Sequence, residues 1–311
     1  MDDTRRAVLR ALADGPVSAR ELAEGLAIPR ASVREHLEAL RAAGFEIAGG
    51  EEGYEVLEIP EYGGPALEYG LDAPFDVEYH DALASTNDRA RELAAAGAAD
   101  VAVVADEQTG GRGRLDRQWS SPSGGVWLSL VLRPDLPPAE VPLVTLAAAV
   151  AVTRAATEVG VDAGIKWPND VLVPTGAGER KLAGVLTEVE TEGDRVEWVV
   201  VGVGVNANVD AETLPGGATS LREQVGDVDR RTFVQRLLET FADVRSDPGA
   251  ILDAWHGHAL TLGRRVRVET PGGTVIGEAL RVEQPGTLVV ATDDGERRVH
   301  AGDCDHLRPV E

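Results

Sequence analysis

Only two of the 30 basic side chains in this 311-residue chain are lysines, Lys166 and Lys181, so the remaining 28 (30 minus 2) are arginines. Both lie in one stretch, Ile165 to Leu186, which reads IKWPNDVLVPTGAGERKLAGVL. A lysine offers a compact ammonium on a flexible stem, whereas an arginine offers a rigid planar fork, so a site built for one is damaged by the other. Arginine almost everywhere and lysine at these two positions points to a place where point charges are required. A GC-rich gene, in which arginine codons accumulate, is the other source of such a pattern.

A second chemical signal is DEQTGGRGRLDRQWSSPSGGVW, from Asp106 to Trp127, where Arg112, Arg114 and Arg117 stand among Gly110, Gly111 and Gly113. Local positive charge on a permissive backbone is what a polyanionic ligand needs, because amides can turn inward and guanidinium forks can hold phosphate oxygens. A loop of about twenty residues without secondary structure of its own is usually functional or disordered. Trp119 and Trp127 are positioned to close over a flat or apolar ligand. The stretch lacks the GK[ST] of a Walker loop and the third glycine of a dinucleotide fingerprint.

The elements that must position these groups follow from periodicity. Ser85-Thr86-Asn87 precedes a helix over Asp88 to Ala96, free to cap it or to bind a ligand. Strands over Val101 to Ala105 and Val126 to Arg133 flank the glycine-arginine loop, and a helix over Pro142 to Val159 comes next. Short strands Ile165 to Trp167 and Val171 to Val173 flank Pro168-Asn169-Asp170. Longer strands follow over Lys181 to Glu190 and Trp198 to Val205, the second running through Gly202 and Gly204 to Asn206 and Asn208, and on one sheet they bring Lys166, Lys181 and Asn206 together. A helix over Thr232 to Val244 closes this unit.

Residues 4 to 57 read as three helices and a hairpin. A capping box at Ser18 and Glu21 opens the second helix, and Val33, Leu37 and Leu40 form the apolar face of the third, with Gly44 as its stop. Phe45 to Leu57, turning at Gly49-Gly50, reads as a wing. This order is that of a winged helix-turn-helix, with Arg30, Ser32, Arg34 and His36 on the outward side of the third helix, facing a major groove. Against DNA binding, residues 1 to 60 hold 12 acids and 7 arginines, and the wing carries Glu46, Glu51, Glu52 and Glu55. A packing or dimerisation unit is the alternative. Pro60 to Pro74 lacks periodicity and reads as a linker.

The net charge of −23 argues against nonspecific attraction to nucleic acid or anionic lipid. Together with the depletion of lysine it resembles the proteome style of a halophile, in which salt screens carboxylate repulsion. A single cysteine, Cys304, allows no internal disulfide and suits a reducing cytoplasm. The apolar run Val141 to Val152 is too short for a membrane span of about 20 residues. The six histidines are scattered and no carboxylate cluster has ligand spacing, so no protein-held metal is expected.

The order STN, QTGGRGR with a following tryptophan, KWPND, RKLAGVLTE and GVGVNAN resembles the biotin protein ligase family, and the helix-turn-helix in front makes the chain similar to its bifunctional ligase and repressor type. The likeness runs through a carboxy-terminal piece, Gly263 to Val310, whose short strands turn at Pro271-Gly272-Gly273, Pro285-Gly286 and Asp293-Asp294-Gly295. The resemblance implies an α+β chain: a winged helix-turn-helix (1–60), a linker (61–75), a class II synthetase-like catalytic domain with a mixed sheet and helices (76–260), and a small SH3-like β-barrel (261–311).

The resemblance also implies roles. Ser85, Thr86, Asn87 and Gln108 would bind the ureido ring of biotin, with Gly184, Gly202 and Gly204 beside it. Gly111, Arg112, Gly113 and Arg114 would order over its carboxylate and the phosphates. Lys181 would sit against the carboxylate and α-phosphate, and Lys166 against the phosphates. Trp119, Asn169, Asn206 and Asn208 would lie near adenine and ribose, and Asp170 would orient or deprotonate the acceptor lysine. The substrates would be biotin and ATP with Mg²⁺ held mainly by the nucleotide. The acceptor would be a biotin carrier domain of a carboxylase, the further partner an operator DNA, and the liganded state a homodimer in the cytoplasm, away from any membrane. One departure is Asp116, where the family often has glycine; it could pair with Arg114 or Arg117 or help hold magnesium. A lipoate-type ligase and a regulator that senses biotinyl-AMP without transferring it are the rival readings.

Overall fold

The computed structural model describes residues 1–50, 53–176, 178–304 and 306–309, with the side chains of Gly50, Asp116, Asp303 and His306 outside the description. Three helices open the chain: α1 (Asp3–Ala13), α2 (Ala19–Gly25) and α3 (Arg30–Ala42). Ser18 and Glu21 form the expected capping box. Val8, Leu9, Leu12, Leu22, Val33, Leu37 and Leu40 make a small core of their own, which Phe45 and Ile47 complete from below the hairpin β1 (Glu46–Gly50) and β2 (Gly53–Glu58). Gly49 and Gly50 are not the turn of this hairpin: they pair with Tyr54 and Gly53 inside the ladder. The residues between the strands, Glu51 and Glu52, lie outside the described residues.

The segment expected to be a linker is a docking element. Its short helix α4 (Gly64–Glu68) buries Ala66, Leu67 and Glu68. The Glu68 carboxylate, 1% exposed, accepts from Arg6 Nε of α1 at 2.9 and 3.0 Å and from Val77 N at 2.9 Å. Gln235 donates to the Leu67 and Tyr69 carbonyls, and the Tyr69 hydroxyl donates to Leu12 O. Few apolar residues are needed for such a clamp, which explains why periodicity missed it.

The central unit is a seven-stranded sheet. Its strands are β3 (Asp76–Leu83), β4 (Val101–Gln108), β5 (Val126–Leu132), β6 (Gly164–Lys166), β7 (Asp170–Thr175), β8 (Gly178–Glu192) and β9 (Arg195–Val205), in the order β3-β4-β5-β9-β8-β7-β6. Only the β3/β4 pair is parallel. On one face lies α5 (Thr86–Ala95), over Val103, Val131 and Val200. On the other lies α6 (Val141–Glu158), whose alanines and valines are buried almost all round. Its apolarity is spent inside the fold, where α8 (Arg230–Ser246) and α9 (Pro248–His256) pack on its outer side; the short α7 (Leu221–Val225) precedes them.

The carboxy-terminal sheet comprises β10 (Arg265–Thr270), β11 (Gly273–Glu283), β12 (Thr287–Thr292), β13 (Gly295–Val299) and β14 (His306–Pro309), ordered β13-β12-β11-β10-β14 with turns where the sequence placed them. It is joined to the central unit through Trp167, whose Nε1 donates to Gly286 O at 3.0 Å and whose amide donates to Thr261 Oγ1 at 2.8 Å.

Candidate active site

A cleft of about 930 Å³, counting its open mouth, lies between the sheet, the glycine-arginine loop and the chain near β14. Register explains what faces it. Lys166 is opposite Asp170, Asp170 is opposite Gly184, and Gly184 is opposite Gly204. These residues thus form one row across four strands. Lys181 Nζ lies 2.6 Å from Asp170 Oδ1, and Lys166 Nζ lies 3.8 Å from Asp170 Oδ2.

Glycine in that row makes room for aromatic and amide groups. A Cβ on Gly204 would stand 2.8 Å from Trp119 Nε1, and one on Gly184 would stand 3.3 Å from both Trp119 and Lys181 Nζ. The Trp119 ring therefore lies against the glycine row, with Lys181 Nζ 4.9 Å from its centroid, a cation–π distance. A Cβ on Gly202 would strike Asn87 Oδ1 at 2.1 Å.

One end of the cleft is lined by uncharged hydrogen-bonding side chains. Gln108 Oε1 accepts from the Thr86 amide at 2.8 Å and from Thr86 Oγ1 at 3.0 Å, and its Nε2 donates to Ser121 Oγ at 3.0 Å. Ser129 Oγ lies 2.8 Å from Thr86 Oγ1 and 2.6 Å from Asn87 Oδ1, while Asn87 Nδ2 donates to Glu188 Oε2 at 2.7 Å. Ser85 caps α5 through Asp88 N. Capping and cleft lining thus coexist in the Ser85-Thr86-Asn87 tripeptide.

The other end is cationic. Among the described residues, Arg112, Arg114, Arg117, Lys166 and Lys181 line the cleft with one carboxylate, Asp170, an excess of four positive side chains (5 minus 1) in a chain of net charge −23. Arg114 donates to Ala301 O at 2.9 Å and also to Cys304 O, joining the loop to the carboxy-terminal unit. Arg112 pairs with Asp88. The loop carries backbone hydrogen bonds of its own: Gly113 N donates to Arg117 O at 2.7 Å, Trp119 N to Gly111 O at 2.9 Å, and Leu115 adopts φ +56°. Its two stems are tied by Asp106, which accepts from Ser123 and from Arg230 Nη1 at 2.6 Å. Burial works to raise the Asp106 carboxyl, but these hydrogen bonds and the Arg230 charge prevail and hold it below the usual carboxylate range. Arg230 in turn lies over the Tyr62 ring at 4.0 Å.

Three models of known families match the chain: the biotin/lipoate A/B protein ligase family over residues 82–206, a helix-turn-helix domain over 1–47, and the biotin protein ligase C-terminal domain over 261–307. The bifunctional ligase/repressor BirA of Bacillus subtilis is 36% identical over 307 residues, spanning 92% of this chain and 93% of that protein. The chain belongs to the biotin protein ligase family. The biotin–[acetyl-CoA-carboxylase] ligase of Mycobacterium tuberculosis is 36% identical over 239 residues, 72% of this chain and 86% of that protein. Among solved structures, the Aquifex aeolicus biotin protein ligase in complex with biotin and ATP superposes with a TM-score of 0.63 at 27% identity, covering 75% of this chain and 99% of that one.

Of the residues that the family resemblance singled out, the cleft wall of this biotin ligase brings together Ser85, Thr86, Asn87, Gln108, Arg112, Gly113, Arg114, Trp119, Lys166, Asn169, Asp170, Lys181, Gly184, Gly202 and Gly204. Gly111 stands just behind, where a Cβ would meet Ser121 Oγ and Trp119 O at 2.6 Å. Asn206 and Asn208 are not on the wall. Asn206 Nδ2 donates to Thr219 O at 2.9 Å, and Asn208 exchanges two hydrogen bonds with the Val228 backbone, so both side chains are used to hold the loop after β9. Trp127 is not a lid residue either: it is fully buried, with its Nε1 donating to Pro122 O. The side chain of Asp116 lies outside the described residues. In the amino-terminal unit Arg30 and Arg34 are exposed, but Ser32 and His36 are only partly so, and His36 Nδ1 is buried. Sequence reasoning missed Ser121, Ser129, Glu188, Asp106 and Arg230, which support the cleft; isolated serines and acids carry no motif, and only the strand register reveals them.

Proposed function

We propose that this chain activates biotin with ATP to biotinyl-AMP, passes the biotinyl group to a lysine of a carrier domain, and reads DNA through its amino-terminal unit. The observation that carries the ligase reading is the division of one cleft, among its described residues, into an end lined by uncharged hydrogen-bonding side chains and an end where positive side chains exceed negative ones by four. A small neutral heterocycle bearing a carboxylate fits the first, and a nucleotide triphosphate fits the second.

Attack of the biotin carboxylate on the α-phosphorus brings two anions together, so fixed cations must offset their repulsion. Lys181 on β8 and Lys166 on β6 flank the intervening strand β7 and can serve this purpose, with Arg112 and Arg114 of the loop in the same cleft wall. Mg²⁺ would enter with ATP and neutralise phosphate charge, since Asp170, the cleft's one carboxylate among the described residues, already faces two lysines. Trp119 offers its face to the adenine. The mixed anhydride is destroyed by water, and the Asp106-tied loop is the element that shields it. In the second half-reaction the acceptor amine attacks the carbonyl, and AMP leaves. Asp170 is then the local group able to orient that amine or take its proton.

The DNA-reading role rests on the helix-turn-helix match and on exposed Arg30 and Arg34 of α3. The same proposal includes operator recognition by a biotinyl-AMP-bound homodimer. Biotin-dependent exchange of labelled pyrophosphate into ATP tests the first half-reaction. Exchange driven by biotin and not by lipoate is expected, exchange with lipoate alone would assign the cleft to the lipoate branch, and no exchange with either would refute activation.

A further inference from the structure

An acyl adenylate reacts with whatever unprotonated primary amine reaches it: the C–N bond forms, the C–O bond to phosphate breaks, AMP leaves with the electron pair, and the amine proton passes to solvent. A ligase that holds such a compound is therefore exposed to acylating itself. This sequence contains two side-chain amines, both in the cleft, and its other 28 basic residues (30 minus 2) are arginines. Guanidinium groups stay protonated and do not compete as acceptors.

The two cleft amines are not free. Both converge on Asp170, at 2.6 Å for Lys181 and 3.8 Å for Lys166, and the side chains are only 32% and 22% exposed. Lys181 is further confined by the Trp119 ring at 4.9 Å and by the closeness of Gly184. An ammonium tied to a carboxylate has no lone pair to attack with, and leaving the pair means giving up that contact. We propose that Asp170 suppresses Lys166 and Lys181 as acyl acceptors, so that this chain, whose exterior is arginine in place of lysine, is not a substrate of its own intermediate. Whatever drove the exchange of lysine for arginine, the result is a ligase surface without side-chain acceptors. The ligase reading enters only as the source of the acylating species.

The test separates the two ideas by using an acylating probe that needs no enzymatic step, the N-hydroxysuccinimide ester of biotin, on the folded full chain with peptide mapping by mass spectrometry. Lys166 and Lys181 are expected to label at least about tenfold less in the folded chain than the same two lysines do in urea, as the loss of one ion pair's worth of free energy implies. Asp170→Asn should bring Lys181 of the folded chain towards its level in urea, and Asp170→Glu should keep it low. Labelling of either lysine in the folded unaltered chain at its level in urea overturns the proposal; so does a folded Asp170→Asn chain in which Lys181 stays unlabelled, because burial alone would then be the shield. A second measurement survives a variant that does not fold: the unaltered chain with biotin, ATP and Mg²⁺ but no carrier should release pyrophosphate and keep its mass. An adduct on Lys166 or Lys181 there also overturns the proposal. Pyrophosphate is followed in the same mixture, so its absence marks failure of the ligase reading while the ester probe still decides this one.

Discussion

Lys181 Nζ lies 2.6 Å from Asp170 Oδ1, an ion pair reaching between adjacent strands β8 and β7 at the centre of the cleft. The lysine lies between Trp119 and Gly184, where an arginine would carry its charge on a broader planar fork displaced from the point at which Nζ stands. Lys181→Arg is therefore expected to lower biotin-dependent pyrophosphate release about a hundredfold or more, the usual cost of losing one preorganised electrostatic group. Release within a few-fold of the unaltered chain would contradict this, because charge alone would then suffice.

Two neighbouring glycines of β9 separate the ends of the cleft. A Cβ on Gly202 collides with Asn87 and one on Gly204 collides with Trp119. Gly202→Ala should raise the KM for biotin about ten- to a hundredfold, as expected for a broken buried hydrogen bond, and change that for ATP little. Gly204→Ala should do the reverse and shift the fluorescence of Trp119. Equal effects of both variants on both substrates would show that the two ends are not distinct.

Arg230 holds the stem of the glycine-arginine loop through Asp106. Arg230→Leu should leave biotinyl-AMP formation within about tenfold but shorten the lifetime of the bound adenylate, measured as its hydrolysis after a single turnover. Acid should mimic the variant only at low pH. With its carboxyl held low, Asp106 contributes stability that is complete above its unfolded pKa and lost as pH falls through the lower folded value, so the stem loosens only below about pH 4. Loss of adenylate protection already at pH 6 would assign the effect to another group.

Arg6 and Glu68 clamp the amino-terminal unit to the rest of the chain, with Glu68 only 1% exposed. Arg6→Met strands a buried carboxylate and should cost about 3–5 kcal/mol in urea unfolding. A loss under about 1 kcal/mol would mean that Val77 N and solvent suffice for Glu68.

The parts of this molecule that were legible in the sequence are those in which residue type dictates position. The α1–α3 faces, the Ser18 capping box, the β6 to β9 strands and the lysine pair all follow from periodicity, capping chemistry or charge type, and family likeness added the cleft assignments. What was not legible depends on pairing across the chain. Glu68 reads as an ordinary linker acid until Arg6, 62 residues earlier, meets it. Asn206 and Asn208 look like ligand groups by motif, yet the loop after β9 takes up their hydrogen bonds. Trp127 lies on β5 with its indole in the core, whereas Trp119 lies in the loop before that strand with its indole against the cleft, a difference that residue type does not reveal.

The central claim is that one cleft both makes and transfers an activated biotin. Its most direct test is to incubate the full chain with labelled biotin, ATP, Mg²⁺ and a purified biotin carrier domain, and to map the label. Label on a single carrier lysine, with AMP and pyrophosphate released and no label when that lysine is arginine, is the predicted result. Pyrophosphate release without any label on the carrier would contradict it and leave a sensor of biotinyl-AMP in place of a ligase.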